Sequence, residues 1–174
     1  DGMCSPLVTV TNTPVEVIEN EYPIALTEYG LEPDSAGAGK FRGGMAVTRE
    51  YLAESPMVVE VRSDRSRVAA PGIGGGGTGV VGSNVVLRAN GDVEPMPARM
   101  RCKLKTGDRL RVTLAGGGGW GDPLARDLDL ITRDVREGLV SRKVAKNKFG
   151  AVVDTNGVLD RDATATLRRE LQSR

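Results

Sequence analysis

The chain has 174 residues, enough for one sizeable core, and its 24 basic and 23 acidic side chains give a formal net charge of +1, which argues against a nucleic-acid partner. No apolar run approaches the ~20 residues that span a bilayer, and the opening DGMCSPLVTV lacks the basic-then-apolar order of a secretory signal, so a cytoplasmic protein is expected. There is no histidine, which excludes within this chain a Ser-His-Asp triad, a His-based zinc site and a histidine general base.

The first part of the chain is predicted to be β-structure. The whole chain has 23 glycines and few aromatic residues, which leaves a core of Val, Leu, Ile, Ala and Met, and such a core suits strands. Period-two alternation and β-branched runs predict extended segments at residues 7–17, 22–31, 45–52, 57–62, 84–89, 100–104 and 109–114. Asn90-Gly91 is a hairpin signal, and Thr106-Gly107-Asp108 is predicted to turn the last two strands into a pair. Pro14, Pro95 and Pro97 are predicted to interrupt strands.

After residue 126 the spacing becomes helical. Asp127, Ser141 and Asp160 are predicted to cap three helices, and Gly138 and Gly150 to end the first two. The first helix is predicted to have an apolar face made of Leu128, Ile131 and Val135. The apolar face of the last is predicted to be made of Ala163, Leu167 and Leu171. Asn156-Gly157 predicts a small hairpin between the second and third helices. The predicted fold is therefore α+β, with a β-rich domain of antiparallel hairpins (1–126) and a short helical tail with a small hairpin (127–174).

Two glycine runs stand within residues 69–82 and 115–121. Backbone N–H groups of glycine loops can cradle phosphates, but neither run matches G-x-x-x-x-G-K-[ST]. Glycine also lets backbones pass closely or lets a loop enter a partner's cleft, which is the favoured interpretation. Trp120 in the second run is predicted to anchor against a neighbouring surface. The other candidates for a substrate or interface contact in this run are Gly117, Gly118 and Asp122. Asp122 is also predicted to form a turn, as is Asp34.

The second candidate site is a basic strand end, RSDRSR, at residues 62–67. Arg62 and Arg65 flank Asp64, which can hold one guanidinium and leave the other free for an anionic group. A solvated ion-pair cluster between strand and loop is the alternative that the residue types favour.

Other candidate groups have simpler explanations. Glu16, Glu19 and Glu21 are predicted to form a solvated face rather than a metal site. Cys4 and Cys102 fit no metal spacing, and two free thiols are expected rather than a disulfide. The sequence opens on Asp1 and not on Met, which is expected of a fragment, a processed subunit or a renumbered chain.

Several segments together resemble one family. They are NTPVEVIENEYPI (12–24), EPDSAGAGKFRGG (32–44), VRSDR (61–65), LKTGDRLRVTLAGGGGWGDP (104–123) and DVREGLVS (134–141). In this order they resemble the C-terminal third of hydantoinase B and the B-like part of oxoprolinases, which are related to acetone and acetophenone carboxylase subunits. The resemblance covers roughly residues 12 to 153.

The resemblance implies a subunit of an ATP-dependent enzyme that opens a cyclic amide such as a hydantoin or oxoproline. An A-type subunit would bind ATP and phosphorylate the carbonyl oxygen of the substrate, and the B-type part would receive the activated intermediate for attack by water. ATP and a divalent metal are thus implied for the partner subunits, and no cofactor is expected on this chain. The family's candidate metal-binding His and Asp residues belong to an N-terminal B-type portion, and CSPLVTVT stands here where the family has a His-containing stretch.

No catalytic residue can be carried over by motif. The chain is expected to be inactive alone and to act beside an A-type subunit and an N-terminal B-type portion or subunit. The strand end at residues 62–65 and the loop at residues 116–122 are both expected to line the face towards that catalytic portion. A non-catalytic subunit of a related ATP-dependent carboxylase, or a stand-alone binding or scaffold protein, remain as alternatives.

Overall fold

A computed structural model describes residues 12–173 of the chain. Its helices and strands, in chain order, are α1 (Val15–Glu21), β1 (Ile24–Leu31), β2 (Val47–Ala53), β3 (Met57–Arg62), β4 (Ser83–Leu87), β5 (Val93–Met96), β6 (Arg99–Leu104), β7 (Arg109–Thr113), a 3-10 helix (Pro123–Ala125), α2 (Leu128–Arg136), α3 (Arg142–Phe149), β8 (Val152–Val153), β9 (Leu159–Asp160) and α4 (Arg161–Gln172). The predicted α+β class, β-rich with a C-terminal helix, is confirmed.

The strands form an open sheet with a two-stranded ribbon beside it. Five strands make an antiparallel sheet in the order β1-β2-β7-β4-β5, and β3 pairs separately with β6. Alternate residues of the ribbon, including Val59 and Cys102, pack on Val86 and Leu110 of the sheet. The ribbon and one face of the sheet therefore enclose the first hydrophobic core.

The second core belongs to the C-terminal helices. Its buried members are Ala38, Ile131, Val140, Ala145, Phe149 and Ala151. The predicted caps are confirmed, because Asp127, Ser141 and Asp160 each accept a backbone N–H in the first turn of the helix that follows. Gly150 ends α3 in the left-handed region at φ +59°, where glycine meets no Cβ penalty.

A buried ion-pair network ties α2 to the glycine-rich segment before β2. Asp134 is 1% exposed and accepts from Arg42 Nε at 3.1 Å and from an Arg126 terminal nitrogen at 2.9 Å. Because the guanidinium groups are themselves buried, the loss of this carboxylate would remove a charged partner from both of them inside the protein.

Three local predictions are wrong. Val15–Glu21 is a helix and not part of an extended segment, and the rest of that predicted segment up to residue 11 lies outside the described residues. Pro95 stands within β5 rather than interrupting it, because β5 is the last strand of the sheet and its outer edge needs no N–H donor. The turn at residues 106–107 forms, but β6 and β7 do not pair: β6 pairs with β3, whereas β7 lies between β2 and β4.

Asp108 stabilises this crossing from ribbon to sheet. Its carboxylate is buried and accepts from the N–H groups of Lys105 at 2.9 Å and Ala89 at 3.0 Å, and from Arg88 at 2.8 Å. The hydrogen bond from Lys105 N–H has the largest effect on the pKa of Asp108. Together with the bonds from Arg88 and Ala89 it outweighs the opposing effect of desolvation and lowers that pKa to about 2. The charged form of Asp108 is therefore part of the folded structure.

Within the described residues no helix is long and apolar enough to cross a membrane. Cys102 is a free, half-buried thiol whose pKa is raised by burial. Cys4 lies outside the described residues, so the expectation of two free thiols stays a prediction.

Candidate functional site

Three glycine-rich segments, residues 35–44, 70–82 and 115–121, pack against one another and are called the glycine bundle below. Hydrogen bonds between their backbones connect all three. For example, Gly119 N–H donates to Gly77 O at 2.9 Å across two of the segments. The bundle is thus held by main-chain bonds outside the named strands, in a form that sequence periodicity does not reveal.

The bundle needs glycine because its backbones lie where side chains would otherwise be. A β-carbon on Gly118 would overlap the carbonyl oxygen of Pro71, and one on Gly116 would overlap that of Ser35. Close passage of backbones, one of the two predicted roles of the glycine runs, is confirmed. Entry of a loop into a partner's cleft stays a prediction.

At one end of the bundle an aromatic cluster faces solvent; it consists of Phe41, Ile73 and Trp120. Trp120 and Phe41 exchange both backbone hydrogen bonds, at 2.9 and 3.0 Å, and Ile73 bridges to Trp120 on the other side. The two rings lie 5.8 Å apart at an interplanar angle of 42°. The side chains of Phe41, Ile73 and Trp120 remain 50%, 66% and 52% exposed, so a rigid backbone presents a compact apolar surface to water.

The other candidates from the second glycine run have structural roles. Gly117 lies inside the bundle, where it accepts from Gly37 N–H at 2.8 Å and donates to Gly44 O at 2.9 Å. Asp122 caps the 3-10 helix by accepting from Leu124 N–H at 2.8 Å, which confirms its predicted role as a turn former. Asp34, with φ +60°, also forms a turn as predicted.

The basic strand end has a different arrangement from the one predicted. Arg62 pairs with Glu60 at 2.7 Å, and Asp64 makes no ion pair with any residue in the described part of the chain. Arg65 stands in the left-handed region at φ +52°, where its carbonyl accepts from Gly82 N–H at 3.0 Å. The predicted guanidinium contact of Asp64 is therefore wrong, because Glu60 on the same strand holds Arg62.

Beyond this strand end lies an open groove of about 880 Å³, called the basic groove below. Residues 63–68, 81–85 and 95–99 line it. Arg65, Arg67 and Arg99 are exposed at its rim.

The basic groove and the aromatic cluster are separate places. None of the residues that line the groove belongs to the second glycine run. The prediction that both face the same partner portion stays a prediction. Phe41, Ile73 and Arg99 had not been singled out from the sequence; an aromatic residue between glycines, as in GKFRGG, is the signal that points to the first of these.

Comparisons with known proteins give a consistent picture. The family model described as hydantoinase B/oxoprolinase matches residues 1–123. The beta subunit of caprolactamase from Pseudomonas jessenii is 33% identical over 169 residues, covering 92% of this chain and 29% of that protein. The crystal structure of the ATP-dependent caprolactamase from Pseudomonas jessenii superposes with a TM-score of 0.78 at 32% identity, over 90% of this chain and 28% of that one. An acetone carboxylase structure shares the fold alone, with a TM-score of 0.80 at 17% identity over 92% of this chain and 26% of that one. The chain thus spans less than a third of the length of these relatives.

Proposed function

The chain belongs to the hydantoinase B/oxoprolinase family, and we propose that it serves as an interface module of a cytoplasmic, ATP-dependent cyclic-amide hydrolase. In this proposal its partners are an A-type, ATP-binding subunit and the N-terminal portion of a B-type subunit. The similarity to a caprolactamase subunit supports a cyclic amide as the substrate of the assembly.

The chemistry of the side chains supports a role in assembly rather than in the reaction. The sequence contains no histidine, so water activation by that base is excluded within the chain. Among the described residues no group of His, Cys, Asp and Glu is arranged to hold a metal ion. In the proposal the divalent metal belongs to the partner subunits. No reaction step is assigned to this chain.

The aromatic cluster is the observation that carries the proposal. Phe41, Ile73 and Trp120 are apolar, exposed and close together, and their backbones are fixed by hydrogen bonds. Such a surface loses little conformational entropy when it is covered, and tryptophan is the residue most enriched at binding hot spots. The cluster therefore suits a protein interface.

Reconstitution tests this function. The chain would be purified alone and co-expressed with the A-type subunit and the N-terminal B-type portion of its source. We expect the isolated chain to show no ATP-dependent opening of a hydantoin, oxoproline or caprolactam ring, and the assembly to show it. Ring opening by the isolated chain, or a compact monomer by light scattering with nothing retained in a pull-down, would contradict the proposal.

A point variant tests the role of the cluster. Trp120→Ala should weaken assembly by about 2 kcal/mol, a dissociation constant roughly 30-fold higher, as expected of a hot spot. Val158→Ala is the matched control, because Val158 is 54% exposed and lies in the hairpin between β8 and β9. Equal affinities for the two variants would remove the cluster from the interface.

A further inference from the structure

Several arginines of the five-stranded sheet and its turns form ion pairs, among them Arg88 with Glu94 and Asp108, and Arg111 with Glu28 and Glu50. At the rim of the basic groove, by contrast, no arginine forms an ion pair with any residue between 12 and 173. Asp64 is the acidic residue in the groove lining. In a chain of net charge +1, this is a local excess of positive charge.

The groove is built on a fixed floor. Asn84 is 2% exposed, and its side-chain amide donates to Ser63 Oγ at 2.9 Å and to Pro97 O at 3.0 Å. These bonds connect the segments that line the groove. The backbone that carries the rim arginines is therefore held in place, and Arg65 keeps a left-handed conformation that is unfavourable for a residue with a β-carbon.

The shape of the surface suits an extended chain better than a small ion. Val68 and Val81, which are 72% and 42% exposed, add apolar surface to the lining that contains the rim arginines. A second depression adjoins the groove at the end of the ribbon and shares Arg99 with it. Its lining includes the paired Arg62 and Glu60, and it adds Arg101, which forms no ion pair within residues 12–173. The basic surface thus continues beyond the reach of one phosphate or carboxylate, whereas side chains of an extended peptide recur every ~3.3 Å on alternating faces.

We propose that the basic groove is the docking site for an extended acidic segment of a partner chain. Its carboxylates pair with Arg65, Arg67 and Arg99, and its apolar side chains lie on Val68 and Val81. This inference rests on the proposed function, which supplies the partner, and it names the chemistry by which one face of the module recognises that partner.

A peptide measurement tests the groove without the assembly. The probe is a fluorescein-labelled octapeptide of alternating Glu and Val, and binding is followed by fluorescence anisotropy in 50 mM salt. An exposed ion pair contributes a factor of about 1.5 to 5, so the triple variant Arg65→Gln/Arg67→Gln/Arg99→Gln should bind about ten-fold more weakly. The matched control is Lys143→Gln/Lys146→Gln/Lys148→Gln, which removes the same charge from exposed positions of α3 and should change affinity less than two-fold.

The outcomes separate the possibilities. Equal losses in the two triple variants, or no loss in either, would overturn the proposal, as would equal binding of a Lys-Val octapeptide. Displacement of the labelled peptide by tripolyphosphate as effectively as by unlabelled peptide would show a general anion site instead. Far-UV circular dichroism of both variants confirms folding. Failure of the proposed function would appear separately, as a parent chain that does not co-purify with its partner subunits.

Discussion

Replacement of Gly118 by alanine tests the glycine bundle most directly. The new β-carbon would overlap the carbonyl oxygen of Pro71 and lie 3.1 Å from that of Ala70, and neither backbone atom can rotate away. Relief requires the second and third segments to separate, which strains the hydrogen bonds of Gly119 N–H to Gly77 O and of Ile73 N–H to Gly119 O, now 2.9 and 3.0 Å.

The magnitude follows from these contacts. Two hydrogen bonds contribute about 1 kcal/mol each, and forced overpacking costs about 1–3 kcal/mol. The alanine also restricts the unfolded chain, which offsets about 0.4–1 kcal/mol. The free energy of unfolding of Gly118→Ala should therefore fall by about 3 kcal/mol.

Urea unfolding followed by far-UV circular dichroism measures this change. With a slope of about 2 kcal/mol per M, the midpoint should fall by about 1.5 M. Gly30→Ala in β1 is the control, since a β-carbon there meets nothing within 4 Å, and its midpoint should stay level or rise slightly. A Gly118→Ala midpoint within 0.5 M of the Gly30→Ala midpoint, at equal slope, would refute the close-packed bundle.

Three further variants test other features by the same unfolding assay. Arg65→Gly should raise the free energy of unfolding by about 1 kcal/mol by relieving the left-handed conformation, whereas Arg65→Ala should not; equal effects would contradict the strain. Asp108 has its pKa lowered from 3.8 to about 2, so it stabilises the parent by about 2 kcal/mol above pH 4 and loses this as the pH falls to about 2. Asp108→Asn should therefore unfold more easily at pH 7 and show a flatter stability profile between pH 4 and 2, and parallel profiles would refute the assignment. Asp134→Asn should cost about 3–5 kcal/mol by removing the charge of a buried carboxylate that accepts from both Arg42 and Arg126, against less than about 0.5 for Asp129→Asn, whose side chain is 87% exposed; similar values would count against the buried network.

Much of the fold could be predicted because its signals are local. Apolar and polar residues alternate over residues 109–114, and β7 covers Arg109–Thr113 of this segment. Asp127, Ser141 and Asp160 have side chains that accept a first-turn N–H, and all three cap helices. A short stretch of sequence was sufficient for the strand, and residue type at one position was sufficient for each cap.

Other features depend on partners far along the chain. β6 and β7 are both amphipathic strands joined by a turn, a pattern that predicts that they pair with each other. No feature of the local sequence indicates that β6 pairs with β3. α1 is a seven-residue helix with no buried residue, so its Val-rich sequence favoured the wrong prediction of an extended segment.

The candidate site was predicted only in part for a related reason. Trp120 and Arg65 stood out by residue type, but their neighbours Phe41 and Arg99 come from other segments of the chain. Glycine has no side chain, so a glycine-rich segment carries no hydrophobic pattern that shows which other segment it packs against. The bundle that brings Phe41 to Trp120 was therefore not predictable from periodicity.

The bundle also bears on the order of events in folding. Its segments, residues 35–44, 70–82 and 115–121, are far apart along the chain, so their bonds close long loops and ordering their glycines costs much backbone entropy. In the first segment, Gly37 N–H donates to Gly117 O in the third segment. During synthesis the bundle therefore cannot be completed until residues 115–121 have left the ribosome. Nascent chains shorter than this leave the first two segments without their backbone partners in residues 115–121.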